Sequence, residues 1–374
     1  MRFATWLGIG MALMSVPALL CVADSSMASA AASKPALASI PVFDLEAREA
    51  HAPKNIQVKL AKMRAAISAK KHTYKVGYTT ALDIPLNQLA GAKRPADAEQ
   101  QIKARKAESQ STPPSDEPSV SASSSMPATY DLRDPGPEGI SKVSPIRDQG
   151  VCGSCWTFST IAAYESNFIK RNLTPLNFSE QEILNCTGGG GYACDGGMSG
   201  GWPSTVFKKL MSYKGGIYLE SDFPYTAGGG VPGSCPNPFP YSKKSYQVKD
   251  WGHVGWTLNP TVEQVKKAII DYGVLSALVF VTDNFAAYAG GVFNEPLPAD
   301  WGVNHAINII GWDDSKNAWL LRNSWGTGWG TSGLHPKIVL AKKSKAPPDP
   351  RGYMWIDYKS SNISDFVWVL AQKI

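Results

Sequence analysis

The sequence predicts an α+β fold from the order of its helical and strand-like segments. Residues 155–170 are apolar on nearly every side, which predicts a buried central helix. Residues 261–272 predict a second helix, with Thr261 as its N-cap and Glu263 in its first turn. Three strand-like runs follow it, at Val274–Val281, Val303–Trp312 and Ala318–Leu321. Helices that precede strands within one globule are typical of α+β proteins.

Composition and charge exclude several classes of protein. Apolar residues make up 43% of the 374 residues and charged residues 18%, so the chain can build a core and is not generally disordered. The net charge of +6 is not concentrated on the C-terminal part: residues 126–374 carry 22 basic and 21 acidic side chains, a net charge of +1. A nucleic-acid partner therefore has no electrostatic support there. Beyond the N-terminus, no apolar run approaches the roughly 18 residues that a membrane-spanning helix needs.

The N-terminus has the pattern of a secretory signal peptide. Arg2 precedes an apolar stretch, Phe3–Val22, and Ala28-Ser29-Ala30 forms an A-x-A cleavage site. We therefore expect residues 1–30 to be removed. The expected location is extracellular or periplasmic, or a lysosome-like compartment in a eukaryote.

Residues 31–106, called the prefix below, contain one helical and one strand-like pattern. The helix is predicted by apolar residues at steps of four, three and four, Ile56, Leu60, Met63 and Ile67. The strand is predicted by alternation at Tyr74, Val76 and Tyr78. Residues 107–125 are rich in Ser, Pro and acidic residues, which predicts an exposed linker open to proteolytic cleavage.

The cysteine pattern allows three interpretations. Of six cysteines, Cys21 leaves with the signal peptide, and the odd number that remains implies one free thiol in a secreted chain. Cys152 and Cys155 form a C-x-x-C pair, which suits a redox dithiol, a zinc site, or one bridged cysteine beside a nucleophile. A redox site lacks its usual βαβ context, and a zinc site lacks a second close pair because Cys186 and Cys194 are eight residues apart.

Three sequence blocks favour the nucleophile. The first is Gln149-Gly-Val-Cys-Gly-Ser-Cys155-Trp, the second is Asn304-His305-Ala306, and the third begins Arg322-Asn323-Ser-Trp325-Gly. His305 lies 150 residues after Cys155, and Asn323 lies 18 residues after His305. In order and spacing this set resembles the papain-like cysteine proteases, peptidase family C1.

The resemblance implies a papain-like two-domain fold over residues 126–374, the peptidase domain. A helical part, about 126–236, and a β-barrel-like part, about 237–374, would enclose the active-site cleft. It also implies a cysteine endopeptidase that cleaves proteins or peptides through a thioester, without metal or cofactor, as a monomer. Residues 334–351 look like an insertion into the family pattern.

The resemblance assigns a role to each catalytic residue. Cys155 would be the nucleophile, ionised by transfer of its proton to His305. Asn323 would accept a hydrogen bond from the other ring nitrogen and fix the imidazole. The side chain of Gln149 and the backbone N–H of Cys155 would bind the oxyanion.

Substrate residues and disulfides are also implied by the resemblance. The expected cleft residues, which favour an apolar or aromatic second residue before the cut, are Gly153, Gly196, Gly197, Met198, Leu278, Asn304 and Trp325. Trp325 would also shield the bond between His305 and Asn323 from water. The implied disulfides are Cys152–Cys194 and Cys186–Cys235.

The prefix resembles the end of an inhibitory propeptide, because Gly77 and Asp83 keep part of its motif. We therefore expect a zymogen inhibited by its own prefix, with carboxylates such as Asp83 holding the prefix until acid loosens it. Two alternatives stay open. One is a catalytically silent peptide-binding protein of the same fold, and the other is a zinc-stabilised module built on the cysteines.

Overall fold

A computed structural model describes most of the chain from Pro41 onward. The described residues are 41, 44–111, 126–187, 194, 201–212, 216–236, 246–333 and 351–373. They all fall within one compact unit, Leu37–Ile374. The predicted signal peptide, Gly196, Gly197 and Met198, and nearly all of the 334–351 insertion lie outside the described residues.

The helices lie mainly in the prefix and in the first half of the peptidase domain. Within the described residues they are α1 Leu45–Ala50, α2 Lys54–Ala69, α3 Leu86–Leu89, α4 Ala98–Ser111, α5 Cys155–Asn172, α6 Glu180–Cys186, α7 Pro203–Ser212, α8 Val262–Tyr272 and α9 Asp283–Ala286. The helices predicted from apolar spacing are confirmed as α2, α5 and α8.

The strands belong to one open sheet. Within the described residues they are β1 Tyr74–Val76, β2 Thr129–Asp131, β3 Tyr246–His253, β4 Leu275–Val279, β5 Tyr288–Phe293, β6 His305–Asp313, β7 Ala318–Arg322, β8 Tyr353–Asp357 and β9 Ser364–Lys373. Their order is β1-β5-β8-β7-β6-β4-β9-β3, with β2 paired to β6. Over these residues the sheet is not closed into a barrel, although helices before strands match the predicted α+β class.

Local sequence explains the limits of the two main peptidase-domain helices. Helix α5 is buried along its length up to Ile169, as its nearly uniform apolarity predicts, and ends where Leu173 turns into the left-handed region. Helix α8 begins after Thr261, whose side chain accepts from the backbone N–H of Gln264. Gln264 reciprocates through its side chain, which completes a capping box and confirms Thr261 as the cap.

The prefix is part of the same sheet and core as the β-rich part. Strand β1 pairs antiparallel with β5, which extends the sheet by one prefix strand and confirms the predicted strand over Tyr74–Val76. Leu60 and Met63 of α2 are buried in the core cluster that includes Phe285 and Trp329. The prefix therefore shares a hydrophobic core with the domain that it precedes.

Helix α4 extends beyond the predicted prefix boundary. It ends at Ser111, so it includes residues 107–111 of the predicted linker. Residues 112–125 of that linker lie outside the described residues. No helix among the described residues is long and apolar enough to cross a membrane.

Candidate active site

Cys155 lies at the point where the loop after Gln149 becomes helix α5. It is the first residue of the helix and is fully buried. Its Sγ accepts hydrogen bonds, each 3.4 Å long, from the backbone N–H groups of Ala306 and Gly91. The first turn of a helix presents unpaired N–H groups and positive potential, so this position suits a sulfur that becomes negative.

His305 and Asn323 come from two neighbouring strands. His305 begins β6, and Asn323 directly follows β7. The Nε2 atom of His305 lies 2.8 Å from Oδ1 of Asn323, so Nε2 carries the proton and Nδ1 is left without a hydrogen-bond partner. The Trp325 ring lies 4.7 Å from the imidazole, measured between centroids, and is almost fully buried. This ring therefore covers one side of the imidazole.

Gln149 is held by contacts on both ends of its amide. Its Oε1 accepts a 2.7 Å hydrogen bond from the Ser324 hydroxyl, which aims Nε2 towards the loop before Cys155. The Nε2 group donates to the carbonyl oxygens of Cys152 at 2.8 Å and of Leu89 at 3.0 Å. Ser324 was not predicted as a site residue, although it directly follows Asn323 in the third sequence block.

The prefix passes through this site as extended backbone. The Leu89 carbonyl accepts from Gln149, and the Gly91 N–H donates to Cys155 Sγ. The next N–H, from Ala92, donates to the Asn304 carbonyl at 3.0 Å. Three hydrogen bonds thus attach one short prefix segment to groups that the sequence assigned to catalysis and substrate binding.

Burial under the prefix sets the protonation state of the catalytic pair. Burial raises the pKa of the Cys155 thiol to about 11, against the lowering effect of the N–H groups of Ala306 and Gly91. Burial lowers the pKa of His305 to about 4, although the hydrogen bond with Asn323 raises it. Both groups are therefore neutral at pH 7 in this form. The expected ion pair between a Cys155 thiolate and a His305 imidazolium is therefore not favoured while the site is buried.

Three further predicted substrate residues, Leu278, Asn304 and Gly153, lie around the same segment. Leu278, on β4, is fully buried and pairs with Ala306 of β6. The side chain of Asn304 accepts from the Val281 N–H, so its backbone carbonyl is the group that faces the prefix. Gly153 lies against the prefix, because a Cβ on Gly91 would come within 1.5 Å of the Gly153 carbonyl oxygen.

Two prefix arginines follow the segment in the cleft. Arg94 donates through Nε to Asp365 and through Nη2 to the Ser364 hydroxyl, the latter at 2.7 Å. Arg105 on α4 is paired with Asp250 and lies 5.2 Å from the Trp251 ring. Asp83, expected to hold the prefix to the domain, instead bonds to Arg48 and Tyr78 of the prefix itself.

The five cysteines among the described residues form two bridges and leave one free thiol. Cys152 is bonded to Cys194, and Cys186 is bonded to Cys235. Among the described residues Cys155 is the free cysteine. Also within the described residues, no three His, Cys, Asp or Glu side chains lie together as a metal site would require. The bridge at Cys152 fixes the loop that carries Gly153 towards Cys155.

Two curated relatives of the chain come from plants. The oryzain gamma chain of Oryza sativa subsp. japonica is 34% identical over 224 residues, which cover 58% of this chain and 56% of that protein. Pro-cathepsin H of Medicago truncatula is 35% identical, over 58% of each chain. The chain thus spans a little over half the length of these relatives.

Solved structures and a family model extend the comparison. Digestive procathepsin L 3 of the Tenebrio molitor larval midgut has a TM-score of 0.62 at 23% identity, covering 88% of this chain and 93% of its own. The recombinant stem bromelain precursor has a TM-score of 0.57 at 24% identity, covering 84% and 88%. These likenesses support the papain-like fold. The model described as "Papain family cysteine protease" matches residues 126–345, more than half of the chain, and the protein therefore belongs to the papain family of cysteine proteases.

Proposed function

We propose that the protein is a secreted cysteine endopeptidase that is made as a zymogen and inhibited by its own prefix. The observation that carries the proposal is the convergence of Cys155, His305, Asn323 and Gln149 at one buried point, with prefix backbone bonded to two of them. The apolar N-terminal stretch and the A-x-A site support secretion. Monomeric state is expected from the family resemblance.

The proposed reaction begins once the prefix leaves and water enters the cleft. His305 takes the Cys155 proton on Nδ1, and the thiolate attacks the peptide carbonyl carbon. The carbonyl oxygen becomes an oxyanion, which the Gln149 side chain and the Cys155 backbone N–H stabilise by about 3 kcal/mol each. His305 then passes its proton to the leaving amine, and the C–N bond breaks to give a thioester.

Water completes the cycle. His305, now neutral, accepts a proton from the water that attacks the thioester, and the acid product leaves as the thiol is restored. Asn323 keeps the imidazole oriented through both steps by accepting from Nε2. Trp325 keeps that hydrogen bond away from solvent because its ring covers the imidazole.

In the latent form the same groups are engaged by the prefix. The Leu89 carbonyl accepts a hydrogen bond from Gln149 Nε2, and the Gly91 N–H donates one to Cys155 Sγ. The Gln149 donor is occupied and the Cys155 thiol is neutral. For these two reasons, an intact catalytic set can remain inactive before processing. Cleavage in the linker predicted from the sequence, residues 107–125, would separate the prefix from the peptidase domain.

A mechanism-based epoxide that alkylates active-site cysteines tests the proposal. We expect the processed wild type to gain one epoxide mass at Cys155 and to hydrolyse a casein substrate. The unprocessed chain should gain none, because the Cys155 thiol is buried and neutral. A processed chain that binds peptides but takes up no epoxide and cleaves no substrate would favour the silent binding protein.

Acid should release the prefix as the pH falls through about 6. Burial raises the pKa of Asp365 to about 6 in the latent form, while the positive charge of Arg94 lowers it. Release removes Arg94, whose positive charge lowers the pKa of Asp365 in the latent form. The ion pair therefore stabilises the latent form at higher pH and is lost as the pH falls through about 6. His253, which also faces Asp365, stays neutral because burial and Arg94 lower its pKa to about 3.

The measurement uses Cys155→Ala protein cut in the linker by an added protease at pH 7.5. Dissociation of the prefix is then followed by size exclusion between pH 7.5 and pH 4.5. The step near pH 6 should disappear in Asp365→Asn and persist in Asp83→Asn, because Asp83 bonds within the prefix. Equal dissociation at pH 7.5 and pH 5 in the Cys155→Ala protein without a second substitution would contradict the prediction.

A further inference from the structure

A buried carboxylate lies beside the cleft and has no role in the reaction above. Asp365, near the start of β9, is 1% exposed and sits in the left-handed backbone region at φ 55°. One of its oxygens accepts from Arg94, and the other has no hydrogen-bond partner, with His253 Nδ1 4.0 Å away. Because an unpaired buried charge is costly, the ionised form of this carboxylate is stabilised by a cation that lies against it.

The peptidase domain itself does not supply that cation. His253 is held by Ser204, whose hydroxyl lies 2.8 Å from Nε2, and burial keeps the imidazole neutral. Trp202 packs against the imidazole, with ring centroids 5.4 Å apart. The positive group on Asp365 is therefore the Arg94 guanidinium, which belongs to the prefix.

Strand pairing places Asp365 next to the substrate cleft. Leu278 on β4 pairs with Ala306 on one side and with Ser364 on the other. Ala306 donates its N–H to Cys155 Sγ, and Ser364 directly precedes Asp365. A continuous path of neighbouring residues thus runs from the nucleophile, past the expected pocket wall at Leu278, to the carboxylate.

The prefix follows the same path. Gly91 contacts the thiol, Ala92 bonds to the Asn304 carbonyl, and Lys93 donates its N–H to the Gly201 carbonyl at 3.3 Å. Arg94 comes next, and its side chain reaches Asp365 and Ser364. The Asp365 pocket, formed by Asp365, Ser364, His253 and Trp202, is therefore filled by a basic side chain of a segment that lies where substrate would lie.

We propose that in the processed enzyme the Asp365 pocket binds a basic side chain of the substrate, at the second residue before the cut. This inference rests on the proposed function. The apolar wall at Leu278 contacts the aliphatic part of such a side chain, and Asp365 binds its charged end. Arginine is favoured over lysine, because Arg94 uses two separate N–H groups to reach Asp365 and Ser364, and a planar guanidinium is suited to that.

Fluorogenic peptides test the pocket in enzyme processed from the full chain. The residue before the cut is kept constant, and the second residue is Arg, Lys, Leu or Phe. We expect Arg to give the highest kcat/KM. Asp365→Asn should lower kcat/KM for the Arg peptide by about thirty-fold or more, the effect of removing one partner of a buried charge pair, and leave the Leu peptide nearly unchanged.

Two further variants control the experiment. Asp250→Asn removes the partner of Arg105, the other prefix arginine, so it should leave the ratio of Arg to Leu cleavage unchanged. Ser364→Ala removes the second acceptor and should lower the ratio of Arg to Lys cleavage. If Asp365→Asn fails to fold, the Ser364→Ala ratio still decides the proposal.

Preference for Leu or Phe, with ratios that neither Asp365→Asn nor Ser364→Ala changes, would overturn the pocket and leave the peptidase intact. A wild type that cleaves none of the peptides and leaves Cys155 unlabelled would overturn the proposed function and the pocket with it. Active-site titration with the epoxide separates these outcomes, because it counts competent sites independently of peptide preference.

Discussion

Replacing Cys155 with alanine should leave the chain unprocessed by itself and without hydrolytic activity, a loss of about a million-fold in kcat. The effect is this large because no group next to Cys155 can replace its sulfur as the nucleophile that forms the thioester. Those neighbours are backbone N–H groups and an imidazole, and among the described residues the other cysteines are bridged. Intact mass and casein hydrolysis, at acid pH with mild reductant, measure both effects.

The alanine variant also needs a test in its trimmed form. Cutting wild type and variant in the linker with the same added protease removes any difference in processing. Thermal unfolding midpoints should agree closely, because the substitution deletes one buried sulfur. Hydrolysis by the trimmed variant at the rate of the trimmed wild type would show that another group is the nucleophile.

Replacing Gly91 with alanine should open the latent form. A Cβ at this position would lie 1.5 Å from the Gly153 carbonyl oxygen, and the obstruction is backbone that cannot rotate away. The segment must therefore move off Cys155 Sγ. A clash that costs about 3 kcal/mol raises the open fraction about a hundred-fold. We expect the unprocessed variant to react with iodoacetamide at Cys155 about a hundred times faster than the unprocessed wild type.

Gly77→Ala is the matched control within the prefix. There a Cβ would lie 3.2 Å from the end of the flexible Leu45 side chain, which can move aside. Its alkylation rate should stay near that of wild type. Equal alkylation rates for the Gly91 and Gly77 variants would mean that the segment at Gly91 does not cover Cys155 as described.

Local patterns predicted helices α2, α5 and α8 and strands β1, β4, β6 and β7. The steps of three and four at Leu60 and Met63 predicted α2, and the nearly uniform apolarity after Cys155 predicted α5, because a helix must bury its apolar surface. Thr261 predicted the start of α8, since a hydroxyl can satisfy a free N–H of the first turn. Each of these signals lies within a few residues of the feature that it predicts.

The sequence by itself also indicated the candidate catalytic residues, because each lies in a block with its own spacing and neighbours. Only the tertiary structure decided that Leu89 and Gly91 lie against Gln149 and Cys155. Their surroundings, a short run of small residues, carry no periodic pattern, and their contacts are made by backbone atoms that any residue has.

Tertiary structure likewise decided the environment of Asp365. In the sequence, Asp365 directly precedes an ordinary run of apolar residues, and nothing there indicates a binding site. Its partner Arg94 is 271 residues away along the chain, and the pairing exists because the prefix crosses the cleft on the way to α4. Burial then leaves the carboxylate with a single cationic partner. The free-energy cost of removing that partner depends on how the surrounding residues pack, which no local pattern encodes.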